Sequence, residues 1–343
     1  MNSATQPLVS IVTPMYNEAE HINECIGSIL VQRYQNWEYL IVDNCSTDES
    51  AAIARRFVQQ DHRIRLVENR HFLRAVANYN FALRQISGAS KYCKVVFADD
   101  WLFPECLERM VAVAEAHPSV GIVGAYGLDG CHVLWSGLPY PSTLISGKQA
   151  CRLLFLRGLY VFGTATALLY RADLVRSHKD FYNEDNIHSD KEACIDLLRD
   201  CDFGFVHQVL TFTRVRPHSL LMMSRSLNSI MAGKLHDLVK YGPHFLTGSE
   251  LDVCLQRTLS EYYTYLAGSF LRGRDDSFWA YHMRTLREAG VPLSRVRLAR
   301  AVLARLFSAV TNPGNTLEIL LRNRPDETQT LAREVAEQCG ESR

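Results

Sequence analysis

The chain has no long apolar run, no excess of charge of either sign and no cysteine pair of metal-binding type, and each absence removes a class of function. The 37 Lys and Arg residues are matched by 37 Asp and Glu, so its overall charge suits neither a nucleic acid nor a strongly acidic partner. No apolar run approaches the roughly 18–20 residues that cross a bilayer. Residues 1–8 lack the basic and apolar blocks of a secretory leader. None of the ten cysteines stands in a Cys-x-x-Cys pair or beside histidine at zinc spacing. Several keep apolar company, as Cys25 does between Ile22 and Ile26. Reduced core thiols in a cytoplasmic protein are the expectation. Internal repeats and low-complexity tracts are also missing, which excludes solenoids and disordered linkers.

What is present alternates between strand and helix. Leu8–Val12, Trp37–Val42, Ile64–Val67, Lys94–Phe97 and Val120–Val123 are short apolar runs of strand type. Between them, helical spacing appears at Ile22, Cys25, Ile26 and Ile29, over 75–86 and over 107–116. Asn17 with Glu20, Ser46 with Glu49 and Ser189 with Glu192 read as capping boxes. Strands apolar on both faces and joined by helices predict an α/β fold with a mostly parallel central sheet covered by helices on both faces. Residues 203–216 are strand-rich; after about residue 219 helical spacing takes over. The expected domains are therefore 1–219, carrying the site, and a mainly helical 220–343.

In such sheets ligands bind at the carboxyl ends of the strands, which singles out Tyr16 and Asn17, Asp43 and Asn44, and Asp99 and Asp100. Adjacent carboxylates behind a buried strand repel one another unless a cation or donors compensate. Oxygen-only ligation suits Mg²⁺ or Mn²⁺ shared with substrate phosphates; alternatively Asp99 caps the next helix and Asp100 is solvated. Asp43 can accept a nucleobase N–H or serve as a turn residue. Gly163 with Thr164 and Thr166 reads either as acceptor-binding backbone or as a tight turn before a core strand. Trp101 reads as packing.

Three ordered blocks then resemble one known family. Val9-Ser10-Ile11-Val12-Thr13-Pro14-Met15-Tyr16-Asn17-Glu18, Ile41-Val42-Asp43-Asn44-Cys45-Ser46-Thr47-Asp48 and the Asp99-Asp100 stretch are similar to blocks of family 2 glycosyltransferases. The resemblance, from about Pro7 to Ser219, implies a Rossmann-like GT-A fold and a non-processive, inverting transfer from a nucleoside-diphosphate sugar, UDP by default, to a saccharide or lipid-linked acceptor. It implies that Pro14, Tyr16 and Asn17 line the base and ribose and that Asp43 holds the base. Asp99 would bind Mn²⁺ or Mg²⁺, with Asp100 positioning the donor beside it. Asn78 matches an asparagine that is structural or donor-side. Asp190 would be the general base and His218 a late contact to metal or diphosphate. Phe97 stands where many members carry the first acid of Asp-x-Asp, which leaves Asp99 as the ligand. The Gln-x-x-Arg-Trp motif of processive synthases is absent. As the first residue of a predicted helix, Asp190 is expected to have its pKa lowered by the helix dipole; Glu184 and Asp185 are its competitors.

Two other classes stay open. A sugar-nucleotide pyrophosphorylase would carry a Gly-rich loop after the first strand, where Thr13–Glu18 has no glycine. A non-catalytic nucleotide-sugar-binding module differs from an enzyme by turnover. In the tail, Val296, Ala299, Val302, Leu303, Leu306 and Phe307 form a helical stripe with arginines around it. The 293–310 segment is expected either to touch an anionic membrane at the inner face or to pack on the catalytic domain with its arginines solvated. Cell-surface polysaccharide or glycolipid assembly is the broad role the resemblance implies.

Overall fold

The computed structural model describes residues 6–129, 132–134, 138–214 and 229–311. The first strand, β1 (Val9–Met15), is buried along its whole length. It runs parallel to β2 (Trp37–Asp43) on one side and to β4 (Tyr92–Val95) on the other, and β3 (Ile64–Glu68) extends the parallel set beyond β2. The central sheet follows the order β3-β2-β1-β4-β9-β6-β10-β5. In it β9 (Leu168–Arg171) lies antiparallel between β4 and β6 (Val120–Asp129). The twelve-residue β10 (Asp202–Thr213) is parallel to β6 and pairs antiparallel with the short β5 (Trp101–Leu102). Two further short strands, β7 (His132–Leu134) and β8 (Leu144–Ile145), pair with β6 and β10. The expected α/β fold with a largely parallel sheet is what forms.

Burial on both faces explains why the first strands read as continuous apolar runs. Val12, Leu40, Val42 and Val95 face one core layer, packed with Leu83 of α3 (Ala75–Leu83), Cys151 and Phe155 of α5 (Gly147–Arg157), Val175 of α6 (Ala172–Arg176) and Ile195 of α7 (Ser189–Leu197). Their neighbours Ile11, Tyr39 and Ile41 face the other layer, against Ile22, Ile26 and Ile29 of α1 (Ile22–Leu30), Ala54 of α2 (Ser50–Gln60) and Leu107 and Met110 of α4 (Cys106–Ala116). The alternation is the period-two geometry of a pleated strand. Pro14 is tolerated inside β1 because β4 pairs only as far as Val12, so no bond on that side needs its missing N–H.

Three helix starts differ from the capping boxes predicted. The side chains of Asn17 and Ser46 bind across two loops, and α1 and α2 begin at Ile22 and Ser50 without a side-chain cap. Ser189 is buried and Glu192 is drawn away to partners described below. β4 also ends at Val95, earlier than expected, so Asp99 lies in a turn beyond the strand and Asp100 just after it.

The chain divides into two compact units, 1–255 and 256–343. The boundary expected near 219, like His218, falls outside the described residues. Beyond it, α8 (Ser229–Phe245) contributes Leu238, Tyr241 and Phe245 to the first core layer of unit one. The helix α9 (Gly248–Leu271) contains the division point. The second unit continues with α10 (Asp276–Glu288) and α11 (Arg295–Thr311).

Candidate functional site

The loops after β1 and β2 are laced together at the carboxyl edge of the sheet. Asn17 Oδ1 accepts from the backbone N–H of Thr47 at 2.8 Å, and Ser46 Oγ accepts from the N–H of Asn17 at 2.9 Å. Ser50 Oγ accepts from Glu18 N–H, and Asp48 from Ala19 N–H. Asn17 and Cys45 both take left-handed backbone conformations, φ 53° and 62°. For cysteine this region is uncommon, and such local strain gathers at ligand-binding edges. Asn17 is thus a loop-fixing residue in this geometry.

Asp43 ends β2 and is almost fully buried. Its Oδ2 accepts from Ser46 N–H at 3.2 Å, while Oδ1 is buried with no hydrogen-bond partner. A buried acceptor without a donor is costly, and a ligand N–H reaching it would remove that cost. Nearby, Tyr16 and Phe72 form an exposed edge-on pair with ring centroids 4.9 Å apart, a surface on which a planar base could lie. Phe72 was not singled out from the sequence. Asn78 turns inward instead: its Oδ1 accepts from Asn69 Nδ2, which also donates to Asn44 Oδ1. Asn44 in turn holds the backbone of Leu73, so this chain of amides shapes the loop carrying Phe72.

The acid pair divides its work. Asp100 is buried; one carboxylate oxygen accepts from the Thr166 hydroxyl at 2.5 Å and the other from the N–H of Arg214 at 3.0 Å. Asp99 is half-buried, and the Arg214 guanidinium reaches its carbonyl. Thr166 belongs to a short 3-10 turn, Ala165–Ala167, and is fully buried. Its carbonyl and that of Leu168 accept from Lys94 Nζ at 2.7 and 3.1 Å. Lys94 is completely enclosed, and burial pulls its pKa down. Of the two readings for Gly163–Thr166, the geometry supports the structural one at Thr166. Trp101 stacks on Phe212 at 5.0 Å, as packing requires.

Asp190 stands at the start of α7, and its Oδ1 accepts from Lys191 N–H at 2.8 Å. Part of its surface is open, yet the protein around it is dense, and burial pushes its pKa up. This corrects the expected depression: the helix-start N–H does favour the charged form, but desolvation outweighs it. Lys191 reaches away to Asp237. The competitors Glu184 and Asp185 are both exposed.

One side chain reports on the convergence of these acids. The Tyr79 phenol has its pKa raised by burial first, and then by the negative charges of Asp99, Asp190, Asp100 and Glu18. Residues more than a hundred positions apart therefore share one neighbourhood around Tyr79, which the sequence did not reveal. Among the described residues no three His, Cys, Asp or Glu side chains gather as a metal-binding group. An Mg²⁺ or Mn²⁺ ion needs as little as one carboxylate when substrate phosphates supply other oxygens. Asp99, half-buried and close to Asp100 in the chain, has the oxygen chemistry for such an ion, and Asp100 is the more deeply buried of the two.

Residues 10–178 match the family model for glycosyl transferase family 2. This stretch of the chain belongs to the family. The match contains Asp43, Asn78, Asp99 and Asp100 and stops short of Asp190. Among curated relatives, EpsE of Bacillus subtilis is 34% identical over 159 residues, 44% of this chain and 55% of EpsE. The chain thus spans about half the length of such relatives. Among solved structures, S. aureus TarS 1-349 in complex with UDP-GlcNAc superposes with a TM-score of 0.62, at 16% identity, over 89% of this chain and 86% of that one. Mannosyltransferase PcManGT from Pyrobaculum calidifontis, in complex with GDP-Man and Mn²⁺, gives 0.54, also at 16% identity, over 90% and 87%. At such identity the likeness establishes the shared GT-A fold.

Proposed function

We propose that this family 2 chain transfers a glycosyl group from a nucleoside-diphosphate sugar to an acceptor hydroxyl, with inversion at the anomeric carbon. The observation that carries the reading is the convergence of Asp190 with Asp99 and Asp100 on Tyr79, beside a carboxyl edge that offers a buried, unpartnered Asp43 oxygen. A binding module would need the second feature but not a carboxylate of raised pKa near the first.

In this mechanism Asp43 receives an N–H of the base, and the Tyr16–Phe72 pair flanks it. Uracil presents a suitable imide N–H, and UDP is the favoured carrier. Mg²⁺ or Mn²⁺, held through Asp99, would supply Lewis-acid neutralisation of diphosphate charge. Asp190 accepts the proton of the acceptor hydroxyl as its oxygen forms the new bond to the anomeric carbon. The bond from that carbon to the phosphate oxygen breaks, and the nucleoside diphosphate leaves with the electron pair. The raised pKa makes Asp190 a stronger base than an ordinary carboxylate. Asp100, locked by Thr166 and Arg214, holds the turn that presents Asp99. The acceptor class is a saccharide or lipid-linked hydroxyl in cell-surface polysaccharide or glycolipid assembly, handled in the cytoplasm.

Titration calorimetry of UDP, dTDP and GDP, each with Mn²⁺ and with EDTA, tests the donor half. Metal-dependent binding of one nucleotide, lost in Asp99→Ala, is expected. Absence of binding by folded protein overturns the reading.

A further inference from the structure

The helix α11 carries an apolar stripe that is exposed among the described residues of the second unit. Val296 is 61% exposed, Leu303 65%, Leu306 45% and Phe307 71%, and Ala299 between them is exposed as well. Spacings of three, four and seven place all five on one side of a helix. The opposite side is the one that packs within the second unit. Arg305 lies against α9, its guanidinium 2.9 Å from where a side chain on Gly268 would begin, and it donates to the carbonyl of Thr264. Ser294, just ahead of α11, donates its N–H to Tyr263 Oη at 2.7 Å. Leu298, Ala301 and Val302 are partly buried on the same side as Arg305. The orientation of the helix is therefore set by contacts, and the stripe faces outward.

Charge completes the pattern. At 3.6 residues per turn, Arg300 borders the stripe on one side and Arg295 on the other, with Arg297 further round. All three are exposed. From Ala289 to Leu317 the chain has four arginines and no Asp or Glu. Within the second unit the stripe and these three arginines are both exposed. We propose that α11 docks on an anionic lipid surface. The stripe would enter the acyl boundary and Arg295, Arg297 and Arg300 would meet the lipid phosphates. A second copy of the chain would place the same arginines against one another, which disfavours self-association as the occupant.

Flotation of the full chain with vesicles tests this. Vesicles of phosphatidylcholine mixed with phosphatidylglycerol should carry the protein up the gradient, and vesicles of phosphatidylcholine alone should not. Leu303→Ser with Phe307→Ser should cut partitioning by about tenfold or more, since both apolar side chains leave the interface. Arg297→Ser and Arg300→Ser should each cut it about fivefold, with the dependence on added salt reduced. All four positions are exposed, so the variants should melt like the parent chain. No flotation with anionic vesicles overturns the proposal. So does equal flotation of the parent and the Leu303/Phe307 variant, and so does a dimer on size exclusion that this variant alone dissolves.

Discussion

Lys191 and Asp237 form an ion pair 2.7 Å long, one residue along from Asp190, with Asp237 almost wholly buried on α8. The pair keeps a cation beside the proposed base occupied elsewhere. Lys191 lowers the Asp190 pKa and Asp237 raises it, on top of the dominant effect of burial.

Asp237→Asn should therefore free Lys191 to act on Asp190. A general base works when deprotonated, so kcat/KM falls as pH drops through its pKa. The acid limb of the pH profile should move to lower pH in Asp237→Asn and to higher pH in Lys191→Met. Limbs that stay in place in both variants would remove Asp190 as the titrating base. Asp190→Asn should lower kcat by about 10²-fold or more.

Glu192 on α7 draws five donors, three from α8 and two from the segment just ahead of α7. Its carboxylate accepts from Asn183, Asn186, His236, Lys240 and Tyr241, with Lys240 Nζ at 2.7 Å. Burial opposes the charge, but these bonds hold its pKa well below the ordinary 4.5, while Glu192 raises His236 above 6.5. The Glu192 contribution is complete above pH 4.5 and fades as pH falls; the His236 contribution is complete below pH 6.5 and fades as pH rises through its folded value. Glu192→Gln should cost about 2 kcal/mol in denaturant unfolding, less than a fully buried pair because His236 and Lys240 reach solvent. The loss should be largest between those two pH values and shrink on strong acidification. A pH-independent difference would contradict this account.

Asp43 should show opposite effects on binding and stability. With its Oδ1 lacking a donor, Asp43→Asn removes a buried charge and should leave the unfolding stability of nucleotide-free protein unchanged or raised. Nucleotide affinity should fall by roughly 10- to 100-fold, the worth of a charge-assisted bond. Calorimetry and denaturant unfolding on one preparation measure both. Unaltered affinity would place the base elsewhere.

Thr166 offers a test of positioning. Thr166→Val deletes the hydroxyl that donates to buried Asp100 and accepts from Phe97 N–H, at a cost of about 1.5–3 kcal/mol. Metal-dependent nucleotide binding should weaken with it, and Thr166→Ser, which keeps the hydroxyl, should restore both. Failure of serine to rescue would assign the effect to the methyl group and packing.

Much of this architecture could be read without coordinates. The strands from Val9 to Val67 and the helices over 22–30 and 107–116 announce themselves by apolar periodicity, which is a local property. The placement of Asp43 and the acid pair after strands came from the same pattern. Missed were β9 as an antiparallel strand between β4 and β6, because Leu168–Tyr170 is apolar whichever way it runs, and the true partners of Asn17, Ser46 and Glu192. A capping signature depends on four adjacent residues, whereas these side chains answer to donors 29, 30 and 48 positions away.

By itself the sequence determined the α/β class, the covered parallel strands and the three blocks that mark family 2, because those follow from side-chain period and residue order. Tertiary structure alone decided the environment of each charge. It gathered Asp99, Asp100, Asp190 and Glu18 around Tyr79, enclosed Lys94 beneath Thr166, drew Lys191 to Asp237 and reversed the expected pKa shift of Asp190. Desolvation and Coulomb energy depend on distance through space, and no spacing along the chain encodes that.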